Sequence, residues 1–399
     1  MTGPLDGLRV IEVANWLAAP GATMLMADMG ADVVKVEPPT GDFYRGHLAA
    51  ERGGDRNYNF EFENRGKRSI SLDLTQPAAS EVVKRLCEGA DIFLTNLVRE
   101  RVGRYGLSFD ELRQRNPRLV YTSITGYGAR GAEADKPGFD ASSFWARSGI
   151  MGMIGKPGDA PTVNRGGQGD RTTSMTALAA TLAALRQRDQ TGEAQFVDIA
   201  LQRTGVYTLA GDIQQQLGGL PARPRQDRTK QSIVTWNPYR TRDDRWLMLV
   251  MVNPERYWNR FARCLEREDL VDDARYTTIY ELQKHGAALI PELDAIFATR
   301  DLEEWGARLD EYELLWATVA SVPEVIADPQ LAQYDAFPEV PTTDGTSYRV
   351  VGVPFEIVGA EVGPRGPAPA IGQDTADVLS EGGFTDEEVA TLAADRVFG

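Results

Sequence analysis

Cysteine and histidine are scarce in this sequence, and each scarcity argues against a class of site. Among 399 residues there are two cysteines and two histidines. Cys87 and Cys264 lie far apart without metal-type spacing, so neither a disulfide framework nor a zinc site is indicated, and a reducing compartment fits best. His47 and His285 are the only histidines that a Ser-His-Asp or Cys-His hydrolase could use. A Gly-x-Ser-x-Gly elbow is also missing, so hydrolase chemistry is disfavoured.

Basic charge and long apolar runs are also in short supply. The chain has 43 Lys and Arg against 58 Asp and Glu, a formal net charge of −15. Nucleic-acid binding is therefore not expected, because it needs a basic face. No apolar run reaches the roughly 18 residues of a membrane-spanning helix, and the first residues lack the pattern of a signal peptide. We expect a cytoplasmic protein that contacts neither nucleic acid nor membrane.

Short runs rich in Val, Ile and Leu alternate with helix-like stretches through the first half of the chain. This alternation favours an α/β fold with a mainly parallel sheet covered on both faces. The predicted strands are Leu8–Ala14, Asp32–Glu37, Ser69–Leu74, Asp91–Asn96, Leu119–Thr125 and Gln195–Leu201, and the predicted helices between the first five are Ala18–Gly30, Pro77–Gly89 and Phe109–Asn116. The pattern breaks at Gly218–Ser232, where Pro, Gly and charge predict a linker before a small α+β unit.

The segment Gly166–Asp170 precedes a long helical pattern from Arg171 to Arg188. Asp170 is therefore expected at or next to the helix N-cap, where it could simply be a capping carboxylate. Three nearby glycines would also let a substrate approach closely, and a helix N-terminus would keep a nucleophilic carboxylate ionised. Covalent catalysis by a carboxylate needs no histidine. The residues alone leave both roles open.

Two basic clusters lie close to predicted strands, where ligands of parallel α/β sheets collect. Either cluster could neutralise the phosphates of an anionic nucleotide, and either could be an ordinary solvated charged face. The clusters are Arg65, Lys67 and Arg68, and Arg99, Arg101 and Arg104.

An ordered series of segments resembles the class III CoA-transferases, the family of formyl-CoA transferase, carnitine CoA-transferase and the aryl-lactate and 2-hydroxyacyl CoA-transferases. The series comprises LDGLRVIEVANWLAAPGATMLMADMGADVVKVEPPTGD, ENRGKRSISLDL, ADIFLTNLVRERVGRYGLSFDEL, NPRLVYTSITGYG, KPGFDASSFWARSGIMGMIG, GGQGDRTTSM and RQRDQTGEAQFVDIAL.

The resemblance implies transfer of coenzyme A from an acyl-CoA to a small carboxylic acid, with the thioester as substrate and no tightly bound cofactor. Asp170 matches the catalytic aspartate that carries the acyl group. Trp16, Leu17 and Ala18 match a loop that contacts CoA and the active site. The positions that match the lining of the nucleotide and pantetheine are Lys67, Leu72, Asn96, Leu97, Arg104, Tyr105 and Tyr127.

The resemblance also implies a Rossmann-like large domain with a smaller inserted α+β domain, in an interlocked homodimer. The expected bounds are 1–217 for the first part of the large domain, 218–235 for a linker, 236–320 for the small domain, 321–345 for a second linker and 346–399 for the part that completes the large domain.

Some positions depart from the family pattern. Pro38 replaces a basic residue that some members carry, Glu313–Leu315 replaces a Gly-Ile-Pro, and Asp374 stands in place of the histidine of a Gly-x-His-Thr motif. An α-methylacyl-CoA racemase shares this fold, but its Gly-His-Asp triplet is Gly138-Phe139-Asp140 here, and Phe139 cannot move a proton. The racemase and a non-catalytic CoA-binding protein are the two alternatives. The acids involved, and the loop that supplies oxyanion amides, are not specified by the sequence.

Overall fold

The computed structural model describes residues 2–46, 57–162, 164–342 and 345–398, so His47 lies outside the described residues. The chain divides into two compact units. The first unit comprises Met1–Met151, Val163–Ala222 and Pro329–Gly399, and the second comprises Gly152–Thr162 and Arg223–Asp328.

A six-stranded parallel sheet forms the centre of the first unit, in the order β3-β2-β1-β4-β5-β6. The expected α/β class with a mainly parallel sheet is thereby confirmed. Every described residue of β4 and β5 is buried, as expected for strands covered on both faces. The strands are β1 (Arg9–Val13), β2 (Asp32–Glu37), β3 (Arg68–Ser71), β4 (Ile92–Thr95), β5 (Val120–Thr125) and β6 (Gln195–Ala200).

Helices of the first unit pack against this sheet through apolar side chains. Val82, Val83 and Leu86 of the fourth helix join a core that the C-terminal residues Val378 and Leu379 also enter. The helices are α1 (Ala18–Asp28), α2 (Phe43–Gly46), α3 (Tyr58–Asn64), α4 (Pro77–Glu88), α5 (Arg99–Arg104), α6 (Phe109–Arg115), a π-helix (Asp140–Ala146), α7 (Ile150–Met153, which crosses the unit boundary), α8 (Gln168–Thr191), α9 (Leu201–Thr208) and α10 (Ala210–Leu217).

The long helix α8 begins three residues earlier than predicted. Gly167 is its N-cap with φ +92°, and Gly192 ends it with φ +76°, both in the left-handed region that glycine adopts most easily. The predicted apolar stripe is partly wrong, because Met175 and Ala179 are exposed. The buried face instead combines small, polar and apolar side chains, namely Asp170, Thr173, Ser174, Ala177, Leu178, Thr181, Leu185 and Arg188 beside Gly169.

The second unit has its own aromatic core beside a three-stranded antiparallel sheet. The buried Trp258 and Trp305 each donate an indole N–H to a backbone carbonyl at 2.8 Å, so burial leaves neither donor unsatisfied. The elements are β7 (Pro238–Arg240), β8 (Trp246–Leu249), β9 (Trp316–Thr318), α11 (Pro254–Cys264), α12 (Ile279–His285), α13 (Ile290–Phe297), α14 (Leu302–Glu311), α15 (Val322–Ile326) and three 3₁₀ turns at Arg228–Lys230, Glu268–Leu270 and Gly286–Leu289.

The C-terminal part of the first unit starts with α16 (Pro329–Ala332) and an antiparallel pair, β10 (Glu339–Pro341) and β11 (Ser347–Arg349), and ends with α17 (Thr375–Glu381) and α18 (Asp386–Ala394). Across the described ranges, the helices are all too short or too polar to cross a membrane.

Candidate active site

The strand order reverses between β1 and β4, and in open parallel sheets ligands bind in the crevice beyond the strand ends at such a point. The loops that follow these two strands are joined by the side-chain amide of Asn96. Its Nδ2 donates to the Asn15 carbonyl at 2.6 Å, and its Oδ1 accepts the Asn15 N–H at 3.1 Å. Asn96, expected to line the ligand, thus uses its amide to hold one wall of the crevice.

Trp16 lies at the edge of this crevice in an unusual backbone conformation, with φ +68°. Its indole is surrounded by aromatic rings, with centroids 5.2 Å from Phe43, 5.7 Å from Tyr44 and 5.7 Å from Phe139. A non-glycine residue in the left-handed region costs about 1 kcal/mol or more, so it persists where the surroundings fix it. The contacts with the three aromatic rings hold Trp16 in this conformation.

Asp170 occupies the third position of α8 and not the N-cap, which differs from the expected capping position. The carboxylate of Asp140 instead holds the start of the helix, accepting the backbone N–H of Gly167 at 3.0 Å and of Asp170 at 3.1 Å. A Cβ atom on Gly169 would lie 2.2 Å from the Phe144 ring and 2.3 Å from Asp140 Oδ1. Glycine is therefore required at 169 for the π-helix to approach Asp170 this closely.

The nucleophile candidate sits in an electrostatically unfavourable place. Burial, together with the charges of Asp140 and Glu63, raises the pKa of Asp170 to about 7, although the charge of Arg171 lowers it. This corrects the expectation that the helix N-terminus keeps Asp170 firmly ionised, because desolvation and two neighbouring carboxylates outweigh the helix dipole. Such a raised pKa in a crevice is typical of a functional carboxyl group.

Glu63 is a second buried carboxylate whose charge acts on Asp170. Its only ion pair among the described side chains is with the Arg171 guanidinium, whose Nη2 lies 2.9 Å from Oε1. Apart from this ion pair, its two oxygens have no hydrogen-bond partner in that part of the chain. Burial raises the pKa of Glu63 to about 7 even though Arg171 lowers it. The carboxylate lies close to α1, because a Cβ on Gly21 would be 2.7 Å from Oε2.

Helices α1 and α8 are in close contact beside the crevice. The Ser174 hydroxyl is 2.8 Å from the Ala18 carbonyl and 3.0 Å from the Asp170 carbonyl, and it lies against Gly21. A Cβ on Gly167 would be 3.6 Å from Leu17 Cδ2. The structure therefore brings the predicted loop residues Leu17 and Ala18 together with the helix that carries Asp170.

Lys67 differs from its expected role as a ligand contact. Its ammonium group is fully buried and donates to Glu12 at 2.8 Å, to the Pro20 carbonyl at 2.9 Å and to Asn64 at 3.0 Å. Burial lowers the pKa of Lys67 to about 8 although Glu12 raises it. Three acceptors occupy the three donors of the ammonium, so its charge neutralises Glu12 and not a phosphate.

The other two residues of the first basic cluster are also held in ion pairs within the chain. Arg65 forms a fully buried ion pair with Asp28, and Arg68 bridges Asp32 and Glu381. Leu72, another expected ligand contact, has a fully buried side chain in the core of the first unit. This cluster therefore stabilises the fold, which corrects the expectation that it could bind a nucleotide.

The second basic cluster faces solvent. Arg99 pairs with Asp135 at 2.6 Å and Arg104 with Glu100 at 2.7 Å, and Arg101 is exposed. These arginines begin just after Leu97, which is buried where β4 ends, and they remain candidates for phosphate binding.

Two predicted tyrosines lie at different depths. Tyr105 follows α5 and packs at the edge of the core. Tyr127 lies beyond β5, with the Lys136 ammonium 5.4 Å and the Arg147 guanidinium 5.3 Å from its ring. Both cations also pair with Glu133, so this surface is less basic than the two cations suggest.

Sequence reasoning missed the roles of Asp140, Glu63 and Arg171. In the sequence, Asp140 is only the last residue of the Gly138-Phe139-Asp140 triplet, and no spacing relates Glu63 to Arg171. In the described parts of the chain, no group of three or more His, Cys, Asp or Glu side chains is arranged to hold a metal ion. The site therefore presents a buried carboxyl group with a raised pKa, close to two further carboxylates and one guanidinium, an arrangement suited to a carboxylate nucleophile.

A family model described as CoA-transferase family III matches residues 5–375. The (R)-2-hydroxy-4-methylpentanoate CoA-transferase of Clostridioides difficile is 28% identical over 397 residues, covering 98% of this chain and 99% of that protein. The cinnamoyl-CoA:phenyllactate CoA-transferase of Clostridium sporogenes is 30% identical over 403 residues, covering 99% of this chain and 97% of that protein.

Among solved structures, a CAIB/BAIF family protein from Brucella suis superimposes with a TM-score of 0.85 at 27% identity. The superposition covers 96% of this chain and all of the other. The family match in sequence and the similarity in fold therefore both extend over nearly the full length of this chain.

Proposed function

Because the chain belongs to CoA-transferase family III, we propose that this CoA-transferase works through a covalent intermediate on Asp170, accepting CoA from an acyl-CoA and passing it to a free carboxylic acid. The observation that carries the proposal is the placement of Asp170. It is held at the start of α8 by Asp140, beside the crevice at the sheet's switch point, with its pKa raised to about 7.

In the proposed reaction, the Asp170 carboxylate attacks the thioester carbonyl of the donor. The C–S bond breaks, giving a mixed anhydride and CoA thiolate. The thiolate then attacks the aspartyl carbonyl and releases the donor's carboxylate, leaving an aspartyl-CoA thioester. The acceptor carboxylate repeats these steps in reverse. Each step exchanges one activated acyl group for another, so the energy of the thioester is retained and no cofactor is needed.

The geometry supports specific parts of this scheme. A carboxyl group with a pKa near 7 has an appreciable ionised fraction at neutral pH and is more basic, hence more nucleophilic, than an ordinary aspartate. The backbone N–H groups of Gly167 and Asp170 are already donated to Asp140. An oxyanion hole for the tetrahedral intermediates therefore needs donors other than these two amides.

The class of acceptor acid is proposed from two sources, the substrates of the relatives and the side chains of the crevice wall. The two relatives named above act on (R)-2-hydroxy-4-methylpentanoate and on cinnamoyl-CoA with phenyllactate, as their names state. In this chain Trp16, Leu17 and the half-exposed Phe139 give the crevice an apolar wall. We expect acids with an apolar or aryl group, including 2-hydroxy acids, to be the better acceptors.

The domain division and assembly are also part of the proposal. We expect the small α+β domain, about 236–320, to be inserted into a large domain made from 1–217 and 346–399, with two chains interlocked. Apolar side chains of the first unit, such as Tyr207, Leu217 and Val358, are largely exposed in the single chain. Exposed large apolar side chains of this kind are commonly covered by a partner, here a second copy.

The direct experiment is a panel of acyl-CoA donors against carboxylate acceptors, with product acyl-CoA identified by mass spectrometry. Donor without acceptor should leave an adduct on the peptide that contains Asp170, and hydroxylamine should convert it to a hydroxamate. An adduct at another residue, or hydrolysis without transfer across the whole panel, would overturn the proposal.

A further inference from the structure

The carboxylates around Asp170 create a problem for any acid that must react there. Asp140 accepts the backbone N–H of Asp170 at 3.1 Å, and Glu63 lies 2.9 Å from the guanidinium of the next residue, Arg171, so two further carboxyl groups lie close to Asp170. An incoming carboxylate adds another anion close to these groups, and like charges in a desolvated site repel strongly. Productive binding of an acid therefore requires a cation in the same place.

Arg171 is the cation that acts on Asp170. It is the next residue of α8, and it is the basic group that lowers the pKa of Asp170. Its side chain keeps about 40% of its surface exposed, whereas its partner Glu63 is fully buried. The guanidinium is thus held by a buried carboxylate on one side and is accessible to solvent on the other.

The contacts of the guanidinium leave donors free. Nη2 lies 2.9 Å from Glu63 Oε1, and the Phe62 ring centroid is 5.3 Å from the guanidinium carbon. Nη1 lies over Gly167, where a Cβ would be 2.9 Å away. Arginine has five N–H donors in a planar fork that matches a carboxylate. Among the described residues, Glu63 is the only acidic partner of this guanidinium, so its remaining N–H donors are not engaged by another carboxylate.

We propose that Arg171, held in place by the buried Glu63, binds the carboxylate of the acceptor acid beside Asp170. The ligand class is a carboxylate anion, recognised by charge-assisted hydrogen bonds. Glu63 is a positioning residue in this arrangement: without it the guanidinium has no ionic contact on its inner side. The inference rests on the proposed function and adds the group that receives the acid.

The test compares a carboxylate with its neutral isostere on the full-length enzyme. The probes are 3-phenylpropanoate and 3-phenylpropanamide, titrated in the presence of free coenzyme A and followed by ligand-detected NMR. In the parent enzyme the carboxylate should bind more tightly than the amide. In Arg171→Gln the dissociation constant of the carboxylate should rise about tenfold or more, while that of the amide changes less than about threefold. The matched control is Arg186→Gln, an exposed arginine on the same helix, which should leave both constants unchanged.

A structural role for Arg171 would weaken both probes together, and that outcome overturns the proposal. So does a parent enzyme that does not prefer the carboxylate. If Arg171→Gln does not fold because Glu63 loses its counter-charge, the double variant Glu63→Gln/Arg171→Gln removes both charges and should fold. It must show the same loss of carboxylate preference. Failure of the proposed function would appear elsewhere, as a missing adduct on Asp170.

Discussion

The Asp140 carboxylate accepts the backbone N–H of Asp170 at 3.1 Å, so one acidic residue fixes the helical turn that carries another. The same carboxylate also accepts the Gly167 N–H and the Trp145 indole N–H. Position and ionisation of Asp170 are therefore linked, because the group that orients it also repels its negative charge. Several expected outcomes follow from this link and from the buried charges nearby.

Asp170→Asn should fold, dimerise and lose essentially all transfer, because an amide cannot accept the acyl group. The folded state raises the pKa of Asp170 from 3.8 to about 7, so it favours the protonated form. Stability linked to this group is present at low pH and is lost as the pH rises through about 7. The melting temperature of Asp170→Asn at about pH 8 should therefore equal or exceed that of the parent. More than a few per cent residual transfer, with the sequence verified after expression, would exclude Asp170 as the nucleophile.

The rate of adduct formation should rise with pH and level off above about 7. At about pH 6 roughly a tenth of a carboxyl group with this pKa is ionised, and at about pH 8 roughly nine tenths, so the rate should differ about tenfold. Rapid-quench measurement with donor alone isolates this half of the reaction. Glu63 titrates in the same range, which should broaden the rise. An acidic limb near pH 4 would show that burial does not raise the pKa.

Asp140→Asn should change stability and pH dependence together. An amide offers one acceptor oxygen where the carboxylate offers two, so at least one donor at the start of α8 loses its partner, at a cost of about 1–3 kcal/mol. Loss of the charge should also move the acidic limb of activity to lower pH. Thermal unfolding and a pH–rate profile measure the two effects. The exposed Asp110→Asn is the control and should alter neither.

The variant Lys67→Met distinguishes a structural role of Lys67 from a role in ligand binding. With its ammonium buried between Glu12, Asn64 and the Pro20 carbonyl, removal should destabilise the protein by about 3–5 kcal/mol, because Glu12 loses one of its two buried cations. The exposed Arg101→Met should change stability by less than about 0.5 kcal/mol. Denaturant unfolding gives both values. An unchanged stability of Lys67→Met with a higher KM for acyl-CoA would restore the ligand-binding role.

The proposed interlocked dimer predicts that chains do not separate without unfolding. Sedimentation velocity at micromolar and lower concentrations should show a single dimeric species, and mixing tagged with untagged enzyme should give no hybrid dimers under native conditions. A folded, active monomer would contradict the interlocked arrangement.

The sequence predicted the ends of the parallel strands to within about one residue, except that β3 ends at Ser71 and not at Leu74, because buried parallel strands are continuous runs of Val, Ile and Leu. It also placed Asp170 at the start of a long helix. It failed for Lys67 and Arg65, since their partners Glu12 and Asp28 are distant in sequence and a basic run looks the same whether it faces solvent or the interior. The contacts of Asp140 with α8 and of Glu63 with Arg171 depend on tertiary packing, which no local pattern encodes.

The bridge between Asn96 and Asn15 has a consequence for attempts to redirect this enzyme to other acids. Both hydrogen bonds are made by one short side chain, so an insertion in either loop would break both of them and change the width of the crevice. Exchange of ring-bearing residues such as Phe139 leaves this bridge intact. A library intended to broaden the range of acids should therefore vary side chains on the wall and keep the lengths of both loops fixed.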